Sequence, residues 1–338
     1  MKKLKVFIGI LISLIFIYIV FRRVDFGRVL HTLLTVNYFI ILPAVIIQVL
    51  SYWTRSIRWS LMLTSIKKIK ASRLFPIICL SYLANNILPL RAGELVRAYL
   101  IGEKEGISKT AAFSTVILER IYDGITLVLF FGAIAFIYPF PLKVKIVGAL
   151  FSLIFFGALI FIILIVVFRD RMLKFTTLFL KILPEKIHKK IYAVLEKLID
   201  GFDIIKDRRN LLLIAFYSVL TWLMEACLIF AIATAFGFSS TVYLSVVTLT
   251  LVNFLIMIPS SPGYIGTFEG ACTYSLSLFG IVRDTGVSFA LIYRVFQYVP
   301  ITVLGFVYLF KEGVSLTALA SSDRGKQQAA GSEQKQQA

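Results

Sequence analysis

Histidine is almost missing from this sequence: His31 and His188 are the only two in 338 residues. A histidine-based metal centre or catalytic triad therefore has too few ligands and bases to draw on. Cysteine is nearly as scarce. Cys79, Cys227 and Cys272 stand singly in apolar segments, with neither a metal-ligand spacing nor a disulfide framework. No GxxxxGK[ST] occurs, so the sequence offers no P-loop with which to run an ATP cycle. Charged residues make up only 16%, against about 25% in a soluble domain. The net charge of +18 sits in the connections between apolar runs, which is the pattern of a membrane protein and argues against a nucleic-acid partner. No catalytic set, metal or cofactor is expected, and the chain is not read as an enzyme.

What the sequence does have is apolar length. Hydrophobic residues reach 59% and the mean hydropathy is +0.89. Long apolar runs cover residues 4–21, 38–53, 110–138, 146–168, 211–236 and 286–310, and each can cross a hydrocarbon core of roughly 30 Å. In lipid the backbone must satisfy its own hydrogen bonds, so the runs are helices, and no alternating pattern points to a barrel. Two further segments, 74–101 and 241–280, are apolar but interrupted. The expected fold is an all-α polytopic membrane protein with six full spans and two re-entrant helical hairpins, or eight spans if both interrupted segments cross.

The first run follows MKKLK and leads into FRRVDF without a cleavage-type A-x-A, so it reads as an uncleaved span. Residues 1–315 form one transmembrane domain. Within it, 169–210 is basic and amphipathic, as expected of helices lying on the membrane surface. The polar, Gln-rich residues 316–338 read as disordered. A basic stretch holds Arg55, Arg58, Lys67, Lys68, Lys70 and Arg73. Counted with the hairpin topology, Lys and Arg fall mostly on one side, which puts both termini in the cytoplasm of a multi-pass cell-membrane protein.

Two stretches match at an offset of 174: GISKTAAFSTVILERIYD from Gly106 and GIVRDTGVSFALIYRVFQ from Gly280. Arg120 aligns with Arg294, and each stretch follows a Pro- and Gly-bearing break that ends in a glutamate, Glu94 or Glu269. With hairpins, the second unit repeats the first upside down. Inverted repeats with broken helices place polar sites near the midplane of many transporters.

The first break reads Asn85-Asn86-Ile-Leu-Pro89, then Arg91-Ala-Gly93-Glu94. Pro89 and Gly93 should interrupt the helix. The N–H groups that open the next helix, with Arg91 and Arg97, then suit a phosphate or lipid headgroup. The bland alternative is a solvated cap at the interface. The second break has Pro259, Pro262, Gly263 and Gly266, with Ser260, Ser261 and Thr267 as capping hydroxyls. Glu269 there is either a ligand residue or an ordinary first-turn carboxylate. Glu119, Arg120 and Asp123 lie inside a long span, where charged groups face a cavity or a partner. They fit headgroup binding and proton coupling, or an ion pair locking this helix to a hairpin. Arg294, near Tyr293 and Gln297, is the counterpart of Arg120, and two guanidinium forks suit a phosphate. Glu225 is a lone intramembrane acid, and Trp53 and Trp59 read as interface anchors.

NNILPLRAGELVRAYL, ERIYDG and PSSPGYIGTFEG with a following LFG resemble the flippase-like transmembrane domain of bacterial lysylphosphatidylglycerol synthase and its free-standing relatives. The resemblance runs to about residue 315. It implies re-entrant helices and movement of a modified phospholipid or lipid-linked compound between leaflets. It carries Asn86, Pro89, Arg91, Gly93, Glu94, Arg97, Glu119, Arg120 and Asp123, then Pro259, Pro262, Gly263, Gly266 and Glu269, as motif residues. No aminoacyl-transferase segment follows residue 310, so lysyl transfer is not expected. The expected partner is a membrane lipid with an anionic or lipid-linked headgroup. A membrane-bound lipid-modifying enzyme, a non-transporting partner of one, and a homo-oligomer stay open as alternatives.

Overall fold

Every described residue in regular structure is helical, as a chain this apolar requires. The computed structural model describes residues 24–88, 92–180, 184–239, 241–257 and 264–313. The run at 4–21, Pro89, Arg91, Pro259, Pro262, Gly263 and the tail at 316–338 lie outside the described residues.

The helices are α1 (Phe26–Thr35), α2 (Tyr38–Met62), α3 (Ala71–Ile87), α4 (Gly93–Glu105), α5 (Lys109–Ala135), α6 (Leu142–Val167), α7 (Arg169–Leu180), α8 (Glu185–Phe202), α9 (Arg208–Ala235), α10 (Thr241–Ile256), α11 (Thr267–Ser277) and α12 (Arg283–Lys311). Tyr38–Ser65, Leu142–Val167, Arg208–Ala235 and Arg283–Lys311 are long and apolar enough to cross a membrane by length and composition. Helix α5 has 27 residues, about 40 Å at 1.5 Å per residue, but carries Glu119, Arg120 and Asp123 in its middle.

The interrupted segments resolve as pairs of short helices. Helices α3 and α4 have 17 and 13 residues and pack on each other. Helices α10 and α11 have 16 and 11 and do the same. All four are shorter than the roughly 20 residues that a span needs. The series long, short, short, long thus occurs twice, as α2–α5 and as α9–α12. Packing repeats with it: α3 lies on α12 as α10 lies on α5, and the two leading helices α2 and α9 share the most extensive interface.

That interface runs antiparallel. Thr64 meets Asn210, Arg58 meets Ser218, and Arg55 meets Glu225. Corresponding helices of the two halves therefore point in opposite directions, as an inverted repeat requires. Each half has its own apolar core, one centred on α3, α4 and the start of α5, the other on α9 to α12.

Two close approaches hold the first hairpin and its neighbour. A Cβ on Gly93 would stand 2.0 Å from the Ser81 carbonyl oxygen, and one on Gly305 would stand 2.6 Å from Leu83 Cβ. Glycine at 93 thus serves the crossing of α3 and α4 as well as the break before it. Helices α7 and α8 carry the amphipathic segment, and α8 lies against α5. Helix α6 by contrast turns Leu150, Leu153, Ile154 and Phe161 outward, as a lipid-facing span does.

Candidate functional site

Helix α2 continues well past the apolar run that ends near Trp53, and its last turns carry the centre of a buried ion network. Positions 52, 55 and 59 fall on one side of the helix, with 58 beside them. Arg58 has no exposed surface. Its Nη1 donates to Asp123 Oδ1 at 2.6 Å and to Ser218 Oγ at 2.9 Å, and its Nη2 stands 3.1 Å from Glu119 Oε1. Arg97 on α4 meets the same Glu119 with both nitrogens, at 3.0 and 2.8 Å, and stacks on the Trp59 ring at 3.7 Å. Trp59 is fully buried, so it is a platform for Arg97 and not an interface anchor.

Arg55 pairs with Glu225 on α9 and lies 3.7 Å from Asp123. Trp222 donates its Nε1–H to Asp123 at 3.0 Å and presents its ring to Arg55. Arg120 reaches Glu119 at 3.2 Å, Asp123 at 3.4 Å and Glu94 at 3.4 Å. Four guanidinium groups thus face four carboxylates: Glu94, Glu119, Asp123 and Glu225. Charges out of water persist only when paired in this way.

The second half carries a smaller version. Arg294 on α12 pairs with Glu269 on α11, as Arg120 on α5 pairs with Glu94 on α4. Glu269 also accepts the Gly266 N–H at 2.7 Å, closing the first turn of α11 at a residue whose φ of 85° suits glycine. Gly266 is thus the N-cap of α11, and the carboxylate of the third helical residue, Glu269, takes its N–H. The Thr267 hydroxyl donates to the Tyr264 carbonyl at 3.0 Å, and Ser260 and Ser261 lie outside the described residues. Arg294 lies over the rings of Phe268 and Tyr298.

Where the halves meet there is a partly open cavity of about 90 Å³, enough for several waters or a phosphate-sized group. The first half contributes Tyr52, Arg55, Tyr82, Asn85, Asn86, Glu94 and Arg120 to its wall. From the second half come Trp222, Glu225, Asn253, Tyr264, Gln297 and Tyr298, among others. Asn85 accepts the Gly93 N–H at 2.9 Å, which ties the cavity wall to the start of α4. Asn86 donates to Thr302 at 2.8 Å and so ties the same wall to α12.

The expected site residues therefore divide. Asn86, Glu94 and Arg120 line the cavity. Glu119, Asp123 and Arg97 are buried in the ion network. The Glu269–Arg294 pair adjoins the cavity residues Tyr264 and Tyr298.

Residues 6–305 match the family model described as the lysylphosphatidylglycerol synthase TM region. The chain belongs to this family. A UPF0104 membrane protein of Methanocaldococcus jannaschii is 24% identical over 312 residues, covering 88% of this chain and 92% of that protein. Another, from Methanothermobacter thermautotrophicus, is 23% identical over 280 residues, covering 78% and 83%. The glycosyltransferase AglD of Haloferax volcanii is 26% identical over 127 residues, which is 37% of this chain and 20% of that protein. No solved structure matches the chain.

Within this family member, sequence reasoning misplaced Arg55 and Arg58. They read as part of a cytoplasmic basic stretch, whereas both are buried inside α2, and two charges leave the count that set the orientation. The signal was present: Gln48, Ser51, Tyr52, Arg55, Arg58 and Trp59 continue a polar stripe at helical spacing. Glu225 carried less weight in the sequence than Glu119, yet it lines the cavity directly.

Proposed function

We propose that this protein is a lipid translocase that moves a phospholipid or lipid-linked anionic compound between leaflets. The observation that carries this reading is the place of Arg120. It is the half-buried end of an otherwise buried network, it opens on the cavity between two oppositely directed halves, and its partner Glu94 is itself partly exposed. A headgroup phosphate entering there takes the place of Glu94 beside Arg120, while the acyl or prenyl tails stay in lipid. Rocking of one half against the other then exposes the cavity to each leaflet in turn. The family's description names an enzyme whose product is a lipid, which supports a lipid as the cargo. Both termini face the cytoplasm in this reading, with the basic helices α7 and α8 against the inner leaflet.

Proteoliposomes holding fluorescent phospholipids test it. Leaflet exchange above that of empty vesicles is expected, with loss in Arg120→Ala and in Arg120→Ala combined with Arg294→Ala. Exchange that survives the double substitution sinks the proposed site. The likeness to part of a glycosyltransferase supports a second reading, a non-transporting module that serves a lipid-modifying enzyme. Under that reading vesicles show no exchange, and adding the enzyme gives covalent product.

A further inference from the structure

Glu94 and Glu269 hold equivalent places in the two halves but are fastened differently. Glu269 is buried, takes the Gly266 N–H at 2.7 Å and accepts a hydrogen bond from Arg294. Among the described residues Glu94 has no such bonds. Its ion pair with Arg120 is 3.4 Å long and runs through an Nε that is buried and forms no hydrogen bond. Arg120 does not depend on that pair, because Glu119 and Asp123 hold the same guanidinium at 3.2 and 3.4 Å. The other acids of the network are held more firmly. Glu119 meets Arg58 and Arg97, Asp123 meets Arg58 and Trp222, and Glu225 meets Arg55. Glu94 is thus the carboxylate that leaves most easily.

Its surroundings decide what happens when it does. From the helices packed on α4, Arg120 of α5 and Tyr82 of α3 share the cavity wall with Glu94. Across the cavity stand Arg55 and Glu225, already paired with each other, and the hydroxyls of Tyr52, Tyr264 and Tyr298. Arg97, one turn along α4, is turned to Glu119. Arg91 lies outside the described residues. The four arginines and four carboxylates of the network balance. A lipid phosphodiester beside Arg120 adds a negative charge and leaves Glu94 unpaired in a cavity of about 90 Å³ that both must share. Two adjacent anions with one partner removed are costly away from bulk water. A proton on Glu94 removes the excess charge, and the neutral acid gains an O–H that donates to the phosphate. The group that blocked the site then becomes a ligand of the anion. Water can deliver the proton, since Glu94 is 23% exposed and the cavity is partly open.

We infer that each anionic headgroup is bound together with a proton carried on Glu94, so that lipid moves with protons toward the alkaline side of the membrane. The inference rests on the translocase reading and adds to it the coupling ion.

Isothermal titration calorimetry of the detergent-solubilised full chain tests it, with short-chain phosphatidylglycerol near pH 7 in two buffers of different protonation heat. That probe is a phosphodiester whose charge is constant in this range, so every proton counted belongs to the protein. Uptake should approach one proton per lipid bound, and affinity should fall by up to about tenfold for each unit of rising pH. Glu94→Gln is nearly isosteric and offers its amide N–H as a donor at any pH. It should bind without proton uptake and without the pH dependence, at an unchanged gel-filtration profile. Glu105→Gln, which alters an acid at the aqueous end of the same helix, should behave like the unaltered protein. Binding to the unaltered protein without proton uptake overturns the inference, with no variant needed. So does uptake that persists in Glu94→Gln. Failure of the translocase reading looks different: lipid binding is then indifferent to Arg120→Ala, and vesicles show no exchange under a pH gradient of either sign.

Discussion

Arg58 on α2 and Asp123 on α5 meet at 2.6 Å with both side chains out of solvent. The same guanidinium also stands 3.1 Å from Glu119, so one arginine holds two carboxylates one helical turn apart on α5. Removing one partner of a buried charge group leaves the rest uncompensated, at a cost of about 3–5 kcal/mol. Arg58→Ala should therefore lower the thermal unfolding midpoint in detergent sharply. Arg58→Lys should recover only part, because an ammonium lacks the planar fork that spans Glu119 and Asp123. A midpoint unchanged in Arg58→Ala would remove the network from the account of stability.

Glu94 and Glu269 occupy equivalent places in the two halves but differ in burial. The Glu94–Arg120 pair is partly exposed, at 23% and 30%, whereas the Glu269 side chain is 4% exposed and also holds the Gly266 N–H. Partly exposed pairs contribute about 0–1 kcal/mol, and buried bonded ones more. Glu269→Ala should thus destabilise the protein more than Glu94→Ala. Parallel melting curves of the two variants decide it, and equal shifts count against the difference.

Gly93 allows α3 and α4 to touch. Its N–H bonds Asn85, its carbonyl accepts from the Ser81 hydroxyl at 2.8 Å, and an added Cβ would collide with the Ser81 carbonyl. Overpacking of this kind costs about 1–3 kcal/mol. Gly93→Ala should lower the unfolding midpoint, whereas Gly132→Ala, with open space around it, should leave it nearly unchanged. A similar response at both positions would mean that the hairpin adapts to the extra methyl group.

At the aqueous end of α4, Glu105 accepts from Lys67 Nζ at 2.9 Å and lies 3.4 Å from Arg73. The Lys67 hydrogen bond, aided by the charges of Lys67 and Arg73, holds its carboxyl below the usual glutamate value of 4.5. A depressed carboxylate stabilises the fold above its unfolded value and loses that contribution as the pH falls through its folded value. Acidification below about pH 4.5 should therefore lower the unfolding midpoint more in the unaltered protein than in Glu105→Gln. Identical pH profiles would show that the tie from the α2–α3 connection to α4 contributes nothing.

Composition and periodicity alone determined the class of this protein. Apolar runs of spanning length can only be helices in lipid, and Gly93 and Gly266 stand at the starts of the short helices α4 and α11. The offset that aligns Arg120 with Arg294 also made the second half legible, because a repeated charge inside an apolar helix is rare enough to register. Tertiary structure decided the rest. Arg55 and Arg58 look like a cytoplasmic flank until α9 and α5 bring Glu225, Glu119 and Asp123 against them. Arg97 looks like a cavity residue until Trp59 and Glu119 enclose it. The reason is physical: a span's period shows that a face is polar, but whether a charge on it meets water, a ligand or an opposite charge depends on helices far away in sequence.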